Sequence, residues 1–189
     1  MFKDWRVEDF DERAVAERLG SSVMTHRVGL DFGFIDPSAV VESLWDKENR
    51  VIYVFKEFYR SGCQLDTVYN ALVKMGLTRN RIFMDSAEPR SIDYFRQKGI
   101  NAQPCIKGQD SVKARIAFLQ NHTIIVKPCC ENVITELENF SYIKDKQTGV
   151  YTDKTTHEWS HSLDALGYSY SDIYTRTPLR TLDKSILGL

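Results

Sequence analysis

The segment from Arg27 to Phe34 reads RVGLDFGF and carries the strongest fold signal in the chain. Apolar side chains alternate in it with two glycines and an aspartate, and this period of two is typical of a β-strand. A turn signal follows at Asp36-Pro37. Two more β-rich runs come next, separated by a short polar turn, at Ala39–Trp45 and Val51–Tyr59. Three strands joined by short turns predict an antiparallel meander.

Beyond the meander, the pattern alternates between helix and strand. Five segments favour helices, at Leu65–Met75, Ser91–Lys98, Ser111–Gln120, Glu131–Phe140 and Glu158–Tyr170. Three short runs between them predict strands, at Arg81–Asp85, Ile100–Ile106 and Thr123–Val126. We therefore expect an α/β fold with a mixed central sheet, in which the meander is joined by parallel strands and helices flank the faces. A polar turn containing a glycine also predicts a separate β-hairpin over Phe140–Lys154.

Length and composition indicate one packed domain, because the chain has 189 residues of which 42% are hydrophobic. No apolar run approaches the ~20 residues of a membrane span, and the N-terminus lacks the pattern of a signal peptide. The four cysteines show no C-x-x-C spacing, and we expect reduced core thiols in an intracellular protein. Residues 1–25 are polar and acidic, with one weak helical stretch from Asp11 to Leu19, and we interpret them as a leader or connector.

Charge is distributed unevenly along the chain. The formal net charge is −1, yet residues 74–115 hold nine basic and four acidic residues. A local basic region can face a phosphate backbone even on a neutral chain. Solvated helix faces are the alternative interpretation, so charge alone does not decide between them.

Two aspartates stand at positions where a strand could present them to a ligand. Asp31 shares its strand face with Gly29 and Gly33, and this bare face leaves room for a metal ion and a nucleic-acid backbone. Asp85 ends a buried strand, at the sheet edge where open α/β sheets place their sites. The alternatives are a surface aspartate on an edge strand for Asp31 and a helix N-cap for Asp85.

A third acidic position lies near the C-terminus. His161 and Asp164 are three residues apart on a predicted helix and therefore project from one face. Such a pair suits a metal site or general acid–base chemistry, and equally a hydrogen-bonded surface pair. Together with Asp31 and Asp85, these residues could supply the carboxylates of a two-metal phosphodiesterase site, in which the ions lie about 3.5–4 Å apart.

Other functional motifs are missing from the sequence, or their residues have a simpler interpretation. There is no P-loop, no H-E-x-x-H zinc motif and no G-x-S-x-G hydrolase motif. We interpret Asp36 as a turn-forming residue rather than a metal ligand. The remaining histidines have no partner pattern and are taken as ordinary residues, namely His26, His122 and His157.

Three motifs, taken in order, resemble those of a known family. The runs are Gly29–Ala39, Ile82–Pro89 and His161–Tyr168. They are similar to the acidic motifs in the nuclease domain of large terminase subunits from tailed double-stranded DNA bacteriophages. The resemblance covers roughly residues 25–175 and is specific as a set. It implies an RNase H-like fold and an endonuclease that cuts concatemeric DNA during genome packaging, with little sequence specificity.

The resemblance also implies roles for individual residues. Asp31, Asp85 and Asp164 would be the carboxylates that bind two divalent ions, Mg²⁺ or Mn²⁺, with Asp31 bridging them. His161 would be an auxiliary ligand or proton-transfer group. Lys107 and Lys113, from the basic segment, are candidates for holding DNA phosphates. The hairpin would lie near the active site, where it could gate access of DNA.

Further expectations concern the whole protein to which this domain would belong. In the family an ATPase motor domain precedes the nuclease, so residues 1–25 would be the remnant of that connection, residues 26–175 the nuclease and residues 176–189 a C-terminal tail. The implied partners are double-stranded DNA, the small terminase subunit and the portal of the procapsid, with ATP bound only by the motor domain. The implied location is the cytoplasm of the infected bacterium, without a membrane partner.

Two other functions remain open from the sequence. Another RNase H-like enzyme, such as a Holliday-junction resolvase, would use the same carboxylates on branched DNA. A non-catalytic module that docks DNA or a portal would keep the acids for structural reasons. Metal binding and substrate choice would separate these alternatives.

Overall fold

A computed structural model describes residues 1–175 apart from positions 21, 23, 109, 146, 147 and 149, with no side-chain description at positions 151, 153 and 154. The strands are β1 (Trp5–Val7), β2 (His26–Asp31), β3 (Ser38–Asp46), β4 (Val51–Arg60), β5 (Arg81–Met84), β6 (Asn101–Pro104), β7 (Thr123–Val126), β8 (Tyr142–Lys144) and β9 (Tyr151–Thr155). The helices are α1 (Glu12–Leu19), α2 (Leu65–Met75), α3 (Pro89–Gln97), α4 (Ser111–Gln120), α5 (Glu131–Asn139), α6 (His161–Tyr168) and α7 (Ser171–Tyr174).

A seven-stranded mixed sheet organises the chain, with the strand order β1-β7-β4-β3-β2-β5-β6. Strands β2, β3 and β4 form the expected antiparallel meander. Parallel pairs extend it on both sides, with β5 and β6 beyond β2 and with β7 and β1 beyond β4. The predicted fold class, a meander combined with parallel strands and flanked by helices, is confirmed.

Both faces of the sheet are covered by apolar layers. Helices α2 and α3 cover one face, where Leu30 of β2 packs with Leu72 and Phe95. Helices α4, α5 and α6 cover the other face, where Leu119 and Leu166 pack with sheet residues such as Val41. Strand β3, in the middle of the sheet, is buried along its whole length because both faces of it are covered.

The N-terminal segment contains a strand that the sequence pattern did not predict. Trp5–Val7 pairs in parallel with β7 at the sheet edge, and Phe2 is buried in the core below it. A three-residue strand in a polar segment carries almost no periodic signal, so only the predicted helix, now α1, was visible in the sequence. Whether this segment once joined another domain stays a prediction.

The predicted hairpin is present, in the form of β8 paired with β9. Strand β9 ends at Thr155, two residues before His157, so the hairpin lies next to α6 along the chain. The predicted long helix over Glu158–Tyr170 is shorter and is followed by a separate turn of helix, α7. The predicted C-terminal tail, residues 176–189, lies outside the described residues.

Three of the four free cysteines are buried, as expected for core thiols. Cys129 is exposed, so the expectation is wrong for this residue.

Within the described part of the chain, no helix has the length and apolar character needed to cross a bilayer.

Candidate active site

The sheet brings Asp31 and Asp85 to the same edge. Strands β2 and β5 are parallel neighbours, with Leu30 opposite Met84, and each aspartate is the next residue along its chain. Parallel strands end at a common edge, which is where sites of α/β sheets lie. Asp85 does not cap helix α3, whose N-cap position is Glu88; its carboxylate accepts a hydrogen bond from the backbone of Ala87 at 2.7 Å.

Gly29 serves a purpose different from the one that the sequence suggested. A Cβ at this position would lie 1.7 Å from the carbonyl oxygen of Ala165, so helix α6 occupies the bare strand face. The expectation that this face leaves room for a metal and a nucleic-acid backbone is therefore wrong for Gly29. Gly33 likewise accommodates the chain itself, because a Cβ there would lie 2.5 Å from the carbonyl oxygen of Asp36.

Helix α6 carries the other two predicted residues to the strand ends. His161, on its first turn, is buried and bonds through Nδ1 to Oδ2 of Asp31 at 3.1 Å. This hydrogen bond is the main reason why the pKa of His161 is raised. Asp164 lies one turn further on, and burial raises the pKa of its carboxyl group to about 6.

The four predicted site residues line a single cleft of about 230 Å³. The cleft is lined by residues at or just after the ends of β2 and β5 and by residues in and just before α6. They are Asp31, Phe32, Gly33, Asp36, Asp85, His157, His161, Asp164 and Tyr168. Asp31, Asp85, His161 and Asp164 are thus brought together as expected, although up to 133 positions separate them in the chain. Larger cavities elsewhere contain no comparable set of acids.

Two cations from the central basic segment enter this acidic site. The ammonium group of Lys107 pairs with Asp85, and the guanidinium group of Arg115 pairs with Asp164. Burial pushes the pKa of Asp85 upward, but Lys107, the Ala87 amide and Tyr168 together hold it below its usual value. Arg115 likewise opposes the effect of burial on Asp164.

The two candidate DNA contacts lie in different places. Lys107 reaches the site through its pair with Asp85, whereas Lys113 lies on the exposed face of α4 and does not line the cleft. The rest of the basic segment is dispersed as well, since Lys98 pairs with Asp66 and Arg79 and Arg81 line a separate cavity. The basic segment is therefore not one continuous surface.

Tyr168 continues the α6 face that carries His161 and Asp164. Its hydroxyl group donates a hydrogen bond to Oδ2 of Asp85 at 3.1 Å. Burial raises the pKa of this phenol, with a further contribution from Asp164. A neutral phenol can therefore orient the Asp85 carboxylate, whereas the sequence placed Tyr168 only at the end of the third motif.

A second group of potential metal ligands lies at the rim of the cleft. Ligand atoms of Asp36, His157 and His161 all lie within 4.8 Å of one another, and no other group of three or more is that compact among the described residues. Asp36 and His157 are exposed, and both were interpreted as ordinary residues from the sequence. Their proximity arises because the turn after β2 and the segment before α6 meet at the strand ends.

Glu136 is a buried acid that the sequence did not single out. Its Oε2 accepts a hydrogen bond from the backbone N–H of Leu163 at 3.0 Å, so it caps the first turn of α6. Burial raises the pKa of Glu136 to about 7. The sequence does not reveal that Glu136 is buried, because a glutamate in an amphipathic helix normally faces solvent.

The donor set of the cleft suits a hard divalent cation. Three carboxylates and an imidazole converge there, and carboxylate oxygens are the ligands that Mg²⁺ and Mn²⁺ prefer. The pairs with Lys107 and Arg115 show that the acids concentrate enough negative charge to draw cations into a half-buried place. The residues present therefore fit a metal centre.

Comparison with known proteins identifies the family. Residues 31–172 match the model of the family described as Terminase RNAseH like domain. The chain is 35% identical over 151 residues to the PBSX phage terminase large subunit of Bacillus subtilis (strain 168), which covers 77% of this chain and 34% of that protein. It is 34% identical over 149 residues to the large terminase subunit of Bacillus phage SPP1, covering 76% of this chain and 35% of that protein. The chain thus spans about a third of the length of these curated relatives.

Solved structures agree with the sequence relatives. The nuclease domain of the SPP1 large terminase, crystallised with bound Mn, superposes with a TM-score of 0.79 at 30% identity, covering 90% of this chain and 97% of that one. The P22 large terminase nuclease domain superposes with a TM-score of 0.58 at 18% identity, covering 78% of this chain and 81% of that one, and this likeness concerns the fold alone. Since the family model spans most of the chain and the SPP1 nuclease domain is 30% identical with 97% of its chain covered, the chain belongs to the terminase RNase H-like domain family, the nuclease domains of phage large terminase subunits.

Proposed function

We propose that this domain is a divalent-metal-dependent endonuclease that cuts double-stranded DNA during phage genome packaging. The observation that carries the proposal is the convergence of Asp31, Asp85 and Asp164 in one cleft. The bound Mn in the SPP1 nuclease domain supports the use of a divalent ion here. The wider role in cutting concatemeric DNA with little sequence specificity comes from the family alone.

In this proposal, Asp31, Asp85 and Asp164 hold two Mg²⁺ or Mn²⁺ ions, and His161 assists. Ions bound in such a site lower the pKa of the attacking water and stabilise the leaving 3′ oxygen. His161 holds the Asp31 carboxylate through its Nδ1, and the Tyr168 hydroxyl holds Asp85. Both bonds fix the direction of the carboxylate oxygens, which is a function of residues behind metal ligands.

His161 faces two other residues of the cleft. Its Nδ1 faces Asp31, while its ring lies 5.2 Å from that of His157. In our proposal His161 orients Asp31 and also serves as a proton-transfer group. Asp36 keeps the turn role that its sequence context indicates.

The partners of the whole protein are also part of this proposal. Double-stranded DNA is the substrate, and the small terminase subunit and the portal of the procapsid are partners of the full-length large subunit, with ATP bound by a preceding motor domain. Residues 1–25 would lead to that domain. The hairpin formed by β8 and β9 would control access to the cleft, and the site of action is the cytoplasm of the infected bacterium.

Plasmid nicking tests the proposal. The domain is incubated with supercoiled plasmid in Mg²⁺ or Mn²⁺, and relaxed and linear products are quantified for wild type, Asp31→Asn and Asp93→Asn. Asp93 is an exposed aspartate on α3 and serves as the matched control. We expect metal-dependent cutting by wild type and the control, and a loss of about 100-fold or more in Asp31→Asn, because the site would lose one of its metal-binding carboxylates.

The alternatives make different predictions in the same experiment. A folded Asp31→Asn variant that cuts as fast as wild type would refute the assignment. A preference for branched over linear DNA would favour a resolvase. No cutting, together with no heat of Mn²⁺ binding at millimolar ion, would favour a non-catalytic docking module.

A further inference from the structure

A second cavity adjoins the carboxylate cleft. It has a volume of about 260 Å³ and shares the walls formed by Asp85, Asp164 and Tyr168. Lys107 and Arg115 also line it, and helix α4 begins there at Ser111. The cavity is therefore lined both by acids and by the two cations that pair with them.

Packing against α6 fixes the position of the Arg115 side chain. It is 9% exposed, and its aliphatic part crosses α6 at Gly167, where an added Cβ would lie 2.2 Å from Cδ of Arg115. The guanidinium group then lies over the ring of Tyr168, 5.2 Å from its centroid, and pairs with Asp164. The glycine and the aromatic ring together fix the direction from which the cation approaches.

Lys107 and Arg115 have more N–H donors than their ion pairs use. Arginine has five N–H donors, and lysine has three. Asp164 and Asp85 accept only some of them. Helix α4 begins at the same cavity, and the positive end of its dipole adds to the potential there.

We propose that this cavity binds a backbone phosphate of the DNA strand that is cut, next to the phosphate held in the carboxylate cleft, with Lys107 and Arg115 as its cationic contacts. This inference rests on the proposed nuclease function. A phosphate matches the cavity because it is an anion that accepts from a guanidinium and an ammonium group at once. Because this cavity shares Asp85, Asp164 and Tyr168 with the acidic cleft, a phosphate bound in it would be a near neighbour of one held in the cleft.

The two sites are coupled through the same ion pairs. When Asp85 and Asp164 become metal ligands, their pairing with Lys107 and Arg115 weakens, and both cations gain donors for the phosphate. Without DNA, the cations compete with metal for the carboxylates. Metal binding and DNA binding therefore favour each other, and by linkage each strengthens the other by the same factor.

The test measures binding of a short fluorescent duplex by anisotropy in Ca²⁺, with a gel check that the duplex stays intact. The variants are Lys107→Met and Arg115→Met, which keep the length of the side chain and lose the charge. Arg115→Lys tests rescue by a charge, and Lys98→Met is the control, since it removes an exposed cation paired with Asp66 instead. Melting temperatures establish which variants fold, and Lys107 is half-exposed, so its variant keeps the test valid if Arg115→Met does not fold.

We expect Lys107→Met and Arg115→Met to bind the duplex about tenfold more weakly, with a plot of log affinity against log salt that is shallower by about one unit. Arg115→Lys should recover part of the affinity, and Lys98→Met should bind like wild type. In titration calorimetry without DNA, Lys107→Met should bind Mn²⁺ about threefold more tightly, because the competing cation is gone.

Two results would overturn the inference. One is unchanged duplex binding in folded Lys107→Met and Arg115→Met. The other is a loss of both Mn²⁺ and duplex binding in Lys107→Met, which would mean that Lys107 only supports the structure of the site. If wild type itself binds no Mn²⁺ and cuts no plasmid, it is the proposed nuclease function that fails, and this inference fails with it.

Discussion

Gly29 of β2 lies directly beneath Ala165 of α6, and the two backbones are so close that a Cβ on Gly29 would lie 1.7 Å from the Ala165 carbonyl oxygen. This contact sets the height of α6 above the sheet. Because His161 and Asp164 project from the same helix, it also sets their distance from Asp31 and Asp85. Gly29, two residues before Asp31 on β2, is therefore a packing residue on which the geometry of the site depends.

The first prediction follows from this contact. Gly29→Ala should lower the free energy of unfolding by about 3 kcal/mol, because the added methyl group meets backbone atoms that cannot move aside without lifting α6. Gly108→Ala is the matched control, since nothing lies within 4 Å of a Cβ at that position. Urea denaturation measures both, and equal stability of the two variants would contradict the role of Gly29.

A second prediction concerns the pH dependence of stability. The pKa of Glu136 is raised to about 7 by burial, so its contribution to stability is fully present below about pH 4.5 and is lost as the pH rises through 7. Glu136→Gln cannot ionise and avoids this loss. Relative to the variant, wild type should therefore lose about 2 kcal/mol between pH 5 and pH 8.

Denaturation curves at several pH values check this difference. Glu138→Gln, which changes an exposed acid on the same helix, is the control and should follow wild type at every pH. A difference between wild type and Glu136→Gln that does not vary with pH would show that Glu136 does not titrate in this range.

A third prediction concerns the buried pair that holds α7. Nη1 of Arg27 donates to Asp172 at 2.9 Å and to the carbonyl oxygen of Ser169 at 3.3 Å, and the side chain is 1% exposed. Arg27→Met should cost about 3–5 kcal/mol, because it leaves the Asp172 carboxylate buried without its partner. The double variant Arg27→Met/Asp172→Leu should recover part of this loss, and a double-mutant cycle from chemical denaturation measures the coupling. Additive effects of the two changes would argue against the pair.

A fourth prediction tests whether His161 orients the metal ligand Asp31 or binds a metal ion itself. His161→Asn should reduce plasmid nicking by about 10- to 100-fold, since residues that orient metal ligands typically contribute this much. Asp31→Asn should reduce it further. If both variants retain the same residual rate, His161 would be as essential as Asp31, and its role would be that of a direct ligand.

Local patterns were sufficient to predict most elements of the fold. The alternation at Arg27–Phe34 and the helical spacing at Leu65–Met75 each arise from one buried face, and burial leaves its period in the sequence. Strand β1 left no such trace, because three residues show no period and its partner β7 lies more than 100 positions away. The strand order depends on such distant pairings and was predicted only in outline.

In the site, too, residues with a local sequence signal were predicted, and residues that depend on long-range contacts were not. Asp31, Asp85 and Asp164 stood out because each occupies an unusual local position or motif. Arg115 and Glu136 did not, because nothing in their own helices indicates that one pairs with Asp164 and the other caps α6. Gly29 was noticed but misinterpreted, since a bare strand face does not reveal whether a ligand or a helix fills it.

We expect Asp31, Asp85 and Asp164 to hold the catalytic metal ions. The most direct test is a crystal of the domain soaked in Mn²⁺, with an anomalous difference map calculated from data near the manganese edge. We predict two peaks in the cleft, bounded by Asp31, Asp85 and Asp164, with Lys107 and Arg115 displaced from the carboxylates. A map with no peak there, or with manganese only between Asp36, His157 and His161, would contradict the account.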